Sequence, residues 1–325
     1  MRVVVLGAGA LGTILAAHLA RAGHQVSILV RGRRTAQLKK RGLVVRGIAD
    51  LDVDCHVMSN PDEVHDADLL IVTVKTYDNE IAITALPDRY FGTVFSVANG
   101  VLKNAELSRR FGADRVLGCM ANISGELLDD GQARFTRNVC LHLGELGGGL
   151  SNRSREIAGV LEGSGIHSRA EADINTVEWS KFVGWTALLA LSVTTRFTTA
   201  KLLSDPHCAL LATTLMKEMT TIAVASGIEI VDRSPLPVAS IVAGTDVAGR
   251  DIVMAIGDEW LQSAPTHRMS CLQDLERGKR LEVEETLGFA VTEAAIRGID
   301  TPALATCYAI VAGINGAITP ASRTN

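Results

Sequence analysis

The residues best suited to chemistry stand almost at the start of the chain. Gly7-Ala8-Gly9-Ala10-Leu11-Gly12 has the spacing GxGxxG. It follows the apolar run Val3-Val4-Val5-Leu6 and opens an Ala/Leu-rich stretch, so it reads as strand, turn and helix start. In that context the first glycine permits the tight turn, the second lets backbone approach a pyrophosphate, and the third lets helix pack on strand. The helix N-terminus adds unbonded N–H groups and a positive dipole facing the phosphates. The plainer alternative is a turn that needs glycine for packing alone. The flanking strand and helix favour a dinucleotide loop, with Gly7, Gly9, Ala10, Leu11 and Gly12 as its cofactor-binding residues.

The second apolar run ends at Val30 and is followed by Arg31, then Arg33 and Arg34. A site for NADH usually carries Asp or Glu there, on the ribose 2′-OH. A guanidinium instead pairs with a 2′-phosphate, which a carboxylate would repel. Arg31 therefore points to NADPH, against the plainer reading of a solvated basic loop. Ligands of open α/β sheets bind outside the carboxyl ends of the strands. Lys75 follows the run at 67–74, and Asn99-Gly100 follows the run that begins at Thr93. Singly each could be an ordinary loop residue. With Arg31 they would line one edge of one sheet.

In the second half Lys181 lies in VEWSKFVGWTALLALSV. At helical spacing its neighbours are Val177, Gly184, Trp185 and Leu188, an apolar face. A lysine there either snorkels to water or acts as a proton donor with a tunable pKa. Periodicity leaves both readings open. Ser270 to Asp274 and Arg280 to Glu284 are opaque by themselves. Serine near a helix start is usually a cap, and glutamates on a long helix are usually a solvated face.

These residues need a scaffold, and the pattern supplies one. Short β-branched runs at 3–7, 26–30, 67–74, 93–99 and 115–121 alternate with helix-like stretches, as in a parallel sheet buried on both faces. Residues 43–59 and 132–145 read as extra short strands, in hairpins or at sheet edges. Beyond residue 150 the segments 152–163, 173–192, 206–227, 269–278, 280–297 and 302–314 read as helices. The fold class is α/β: a Rossmann-type doubly wound parallel sheet in a domain of residues 1–170, then an all-helical domain of residues 171–325.

Composition narrows the function. The chain has 325 residues, 47% hydrophobic and 21% charged, with net charge −4. That suits a globular protein of about two domains. The acidic balance and 4% aromatic content argue against a nucleic-acid partner. The six cysteines show no CxxC and the histidines no HExxH, so neither metal nor disulfide framework is expected. The first 24 residues superficially resemble a secretory signal, but glycines interrupt the apolar stretch. The apolar run Phe182–Val193 is shorter than the roughly 20 residues a bilayer requires. A cytoplasmic protein with no membrane partner is expected.

Taken in order, the motifs resemble the ketopantoate reductase family along nearly the whole chain. GAGALG is similar to its cofactor loop, VKTYD at 74–78 to its V-K-x block and VANG at 97–100 to its N-G block. EWSKF at 178–182 resembles its W-x-K segment, and MSCLQDLERGKRLEVE at 269–284 its S-M-x-Q-D and T-E-I-D blocks. GIDTPALATCYAIVAGI resembles the family's G-x-x-T-P ending with its tyrosine. The resemblance implies a Rossmann domain and a helical domain with the active site in the cleft between, and a homodimer. It implies Lys181 as the general acid at the ketone oxygen, with Glu282 as a second catalytic residue that binds the substrate hydroxyl or orients the lysine. Ser270 would hold the substrate carboxylate. Asn99 and Lys75 would sit among nicotinamide, substrate and phosphate or ribose groups.

The departures lie in the substrate-reading part. Where the family pattern places asparagines four and eight residues after the lysine, this chain has Trp185 and Leu189. Where T-E-I-D-x-x-N-G has asparagine, it has Leu287. The expectation is an NADPH-dependent reductase of a 2-oxo acid or related ketone, with Trp185 and Leu189 bordering a more apolar substrate than ketopantoate. The rivals are ketopantoate reduction for pantothenate synthesis, oxidation of an alcohol or amine on the same scaffold, and a dinucleotide-sensing protein without chemistry.

Overall fold

The structure, a computed structural model, describes residues 1–232 and 236–318. They form two compact units, Met1–Glu178 and the residues from Trp179 onward.

The first unit begins β1 (Arg2–Leu6), α1 (Ala10–Arg21), β2 (Gln25–Leu29), α2 (Arg33–Arg41), β3 (Leu43–Gly47), β4 (Leu51–Val53) and β5 (His56–Met58). It continues β6 (Ala67–Val72), α3 (Thr76–Thr84), β7 (Phe91–Ser96), α4 (Leu102–Phe111), β8 (Leu117–Leu127), β9 (Ala133–Glu145), α5 (Asn152–Gly163) and β10 (Ser168–Ala170). One sheet is wholly parallel, in the order β5-β2-β1-β6-β7. Its central strand is buried on both faces. Val3 and Val5 belong to the core shared with Ile14 and Leu15 of α1, and Val4 and Leu6 to the core shared with Ala82 of α3 and Leu107 of α4. That division is the two-residue alternation of a strand, with helices covering each side.

One expected strand has moved. The run at 115–121 does not extend the parallel sheet. It forms β8, which pairs antiparallel with β9 from Leu117↔Glu145 to Leu127↔Ala133. Only an isolated bridge, Val94↔Val116, reaches the first sheet. The cause is long-range packing: Leu117, Cys119, Ala121 and Ile123 join the core beneath α1, with Leu141 and Leu143 of β9. The fifth parallel strand is β5, from the segment expected as an extra. The second sheet runs β10-β9-β3-β4, with β8 on β9.

The second unit is helical among its described residues. Its elements are most of α6 (Ile174–Thr195), then α7 (Thr199–Ser204), α8 (Pro206–Ala225), α9 (Val238–Ala243), α10 (Asp246–Ser263) and α11 (Ser270–Glu276). A π-helical turn at Glu284–Gly288 leads into α12 (Phe289–Ile296), and α13 (Pro302–Ile318) follows. The units divide inside α6 because its first turns pack on β8: Ile174 and Val177 share a small core with Met120. Helix α8 is long and apolar enough to cross a membrane by length and composition, but half of it is buried against neighbouring helices.

Candidate active site

Each glycine of the loop after β1 does a different job. Gly7 has φ +104°, a left-handed conformation that disfavours side chains, and its N–H donates to Leu29 O at 2.9 Å. A Cβ on Gly12 would lie 2.4 Å from both Gly7 O and Thr73 Oγ1, so α1 approaches the strand ends as closely as backbone allows. A Cβ on Gly9, by contrast, would meet nothing within 4 Å. Gly9 caps α1 with no side-chain hydrogen bond, so the helix start presents backbone. This loop fits a pyrophosphate, with Gly7, Gly9, Ala10, Leu11 and Gly12 around it.

Two residues that the sequence reading did not assign to the loop hold it in place. Thr73 Oγ1 donates to Leu6 O at 3.2 Å and Gly7 O at 3.0 Å. Arg34 donates from Nε to Ala8 O (3.0 Å), from Nη2 to Thr13 Oγ1 (2.9 Å) and from Nη1 to Gly131 O (2.7 Å). Arg34 is therefore a brace rather than a free phosphate ligand, and Arg33 donates to Asp129 O at 2.9 Å. Arg31 is exposed just past β2.

Because β2, β1, β6 and β7 are adjacent and parallel, their carboxyl ends share one edge. That edge carries Arg31, the glycine loop, Lys75 and Asn99. Lys75 is half-buried and immediately precedes α3. Asn99 follows β7, and Gly100 with φ +80° turns the chain toward α4. In the first turns of α4, Lys103 Nζ donates to Gly100 O at 2.8 Å and to Glu178 Oε1 at 2.6 Å. Asn104 and the Cys119 N–H also donate to the Glu178 carboxylate. Sequence reading missed this cluster, since a glutamate ahead of a tryptophan in a helix reads as a solvated face.

In the second unit, Lys181 is half-buried while α6 is buried without interruption from Phe182 to Val193. Trp179 and Phe182 flank it in sequence and meet edge to face at 5.7 Å. Both also lie 6.2 Å from Phe289, just past the π turn. These rings pack the Lys181 turn against the start of α12, and Glu282, seven residues before Phe289, is buried. Farther along α6, Ser192 Oγ lies 3.4 Å from Cys271 Sγ, next to Ser270. Ser270 is exposed and does not cap its helix: Met269 does, with no side-chain hydrogen bond.

The helix expected over 280–297 begins instead as a π turn, with Gly288 N bonded to Val283 O at 3.0 Å. Tyr308 of α13 donates to Glu284 Oε2 at 2.8 Å, and the carboxylate raises the phenol's pKa. Such turns are frequent at functional sites. Of the expected apolar lining, Trp185 is 9% exposed, whereas Leu189 and Leu287 are 0% exposed. Of these three, Trp185 alone keeps exposed surface. Leu189, expected to border the substrate, packs in the core behind it, because α6 is apolar on all sides there.

The chain is similar to known proteins along nearly its whole length. The family model described as "Ketopantoate reductase PanE/ApbA" matches residues 3–148, and its C-terminal counterpart matches residues 173–315. A 2-dehydropantoate 2-reductase of Archaeoglobus fulgidus is 30% identical over 317 residues, covering 98% of this chain and 99% of that one. The crystal structure of a PanE/ApbA family ketopantoate reductase from Ralstonia eutropha JMP134 superposes with TM-score 0.81 at 25% identity, covering 98% and 99% of the two chains. A ternary structure of D-mandelate dehydrogenase with NADH and anilino(oxo)acetate has TM-score 0.84 at 17% identity, with coverage of 98% and 99%, a likeness of fold.

Proposed function

The chain belongs to the ketopantoate reductase family, and from that premise we propose that it uses NADPH to reduce a 2-oxo acid or ketone bearing a larger apolar group than ketopantoate. Reduction of a ketone to an alcohol with a nicotinamide dinucleotide is the family's activity; the choice of NADPH and of an apolar substrate is our reading. The bound dinucleotide supplies the hydride, and the protein supplies orientation and the proton.

The glycine loop would hold the pyrophosphate, and Arg31 the 2′-phosphate. Lys75 and Asn99 would place ribose or nicotinamide and the substrate. Lys181 would deliver a proton to the ketone oxygen, with Glu282 binding the substrate hydroxyl or orienting the ammonium. Ser270 would hold the carboxylate.

One observation carries the substrate assignment. The residue one turn after Lys181 is Trp185, and it retains a small exposed surface where the resemblance implies an amide. An indole cannot satisfy the polar atoms an amide would, but it adds apolar surface for a substituent to cover. The fold admits such ligands, since D-mandelate dehydrogenase holds anilino(oxo)acetate. Initial rates of NADPH oxidation with ketopantoate and with 2-oxo acids of increasing apolar size test the assignment. A preference for ketopantoate over the whole series would return the chain to pantothenate synthesis.

A further inference from the structure

The Glu178 carboxylate is 4% exposed, yet it is a hub of polar contacts. Oε1 accepts from Lys103 Nζ at 2.6 Å and from the Cys119 N–H at 2.9 Å, and Oε2 accepts from Asn104 Nδ2 at 2.5 Å. Lys103, 3% exposed, also donates to Gly100 O at 2.8 Å. A Cβ on Gly118 of β8 would lie 3.1 Å from Glu178 Oε2, so a glycine there leaves the carboxylate its room. One buried carboxylate thus joins α6, β8, α4 and the loop behind Asn99. Lys181 follows it by one helical turn.

We propose that Glu178 is a positioning residue: through its pairing with Lys103 it fixes the first turns of α6 to the Asn99–Gly100 loop, and so sets where the Lys181 ammonium is held during ketone reduction. This rests on the proposed function, in which Lys181 gives the proton. A buried ion pair adds little net stability over well-packed apolar side chains. What it adds is direction. Apolar contacts tolerate a sliding helix, whereas three donors converging on one carboxylate do not. A misplacement of about 1 Å can cost about 10²-fold in rate, so an anchor one turn before the proton donor bears on turnover.

The test replaces the charges together. The double variant Lys103→Met with Glu178→Leu exchanges the pair for apolar side chains of similar volume and leaves neither buried charge without its partner. Turnover per folded molecule, the dinucleotide Kd and the melting temperature are measured with the best substrate of the panel. The expected result is a kcat per folded molecule lowered by about 10²-fold with a much smaller change in dinucleotide Kd, while the melting temperature falls because Asn104 and the Cys119 N–H lose their acceptor. Glu178→Gln, which keeps length and one acceptor, should lose less. If the double variant does not fold, Glu178→Gln decides by the same split. A folded variant with wild-type kcat, or one whose kcat and dinucleotide affinity fall by the same factor, overturns the proposal alone. A wild type that reduces no ketone overturns the proposed function first, and this inference with it.

Discussion

Arg34 Nε donates to the carbonyl oxygen of Ala8 at 3.0 Å, in the middle of the glycine loop. An arginine from the basic segment after β2 is thereby spent on shaping the glycine loop, while its near neighbour Arg31 is exposed.

Variants of the two should behave differently. Arg31→Ala should raise the KM for NADPH far more than the KM for NADH, because only the 2′-phosphate loses a charge-assisted bond. Arg34→Ala should weaken both cofactors together, since the loop loses its bond at Ala8 O, and with it the brace to Thr13 and Gly131, whichever dinucleotide binds. Steady-state KM values for both cofactors decide it. Equal effects of Arg31→Ala on the two would remove Arg31 from the 2′-phosphate.

Much of this edge is legible in the sequence, because local pattern specifies it. The alternation in β1, the glycine spacing and the helix that follows all concern neighbouring residues. What escapes is long-range. The antiparallel pairing of β8 with β9 depends on a partner strand met later in the chain. Glu178 depends on Lys103, 75 residues away. Helix α10 went unread because Gly249 and Gly257 interrupt its pattern, yet they are where neighbours come closest. A Cβ on Gly257 would lie 2.4 Å from Ser204 N, and one on Gly249 2.5 Å from Thr213 Cγ2.

His18 makes stability depend on pH. Its Nδ1 donates to Ser164 O at 2.8 Å, which leaves Nε2 deprotonated, buried and without a hydrogen-bond partner. Burial lowers its pKa below 6.5, with the Ser164 bond as a smaller opposing effect. Below pH 6.5 the unfolded chain therefore binds the proton more readily than the folded one. This contribution is lost as pH falls from that value toward the folded pKa, at up to about 1.4 kcal/mol per pH unit. His18→Gln should flatten the acid limb of a urea-denaturation series across that window. Parallel curves for variant and wild type would show that His18 contributes no such term.

Lys181→Ala should lower kcat by about 10²–10⁴-fold, the usual span for loss of a general acid. The dinucleotide Kd should barely move, since in the proposed function the glycine loop and Arg31, not Lys181, hold the phosphates. Stopped-flow reduction and fluorescence titration separate the two effects. Near-normal turnover would leave Lys181 as a half-buried lysine that merely snorkels to water.

Trp185 offers the sharpest test of what the protein reduces. It lies one turn beyond Lys181 on α6, so the two side chains leave the helix on one face. The neighbouring positions are closed off: Leu188 and Leu189 are buried, and Leu287 within the π turn has no exposed surface. A ketopantoate hydroxyl placed against this face would lose its partners, at about 1–3 kcal/mol per unsatisfied group. A bulky apolar substituent would gain about 25 cal/mol per Å² buried. The expected outcome is a higher kcat/KM for 2-oxo acids with large aliphatic or aromatic groups than for ketopantoate. Trp185→Asn should move the ratio toward ketopantoate by about tenfold, the worth of roughly one regained hydrogen bond. Because Leu189 and Leu287 are core residues, they should be left in place, and changing them should cost folding before it alters preference. A wild type that favours ketopantoate over every apolar analogue, with Trp185→Asn neutral, would mean that this indole does not read the substrate.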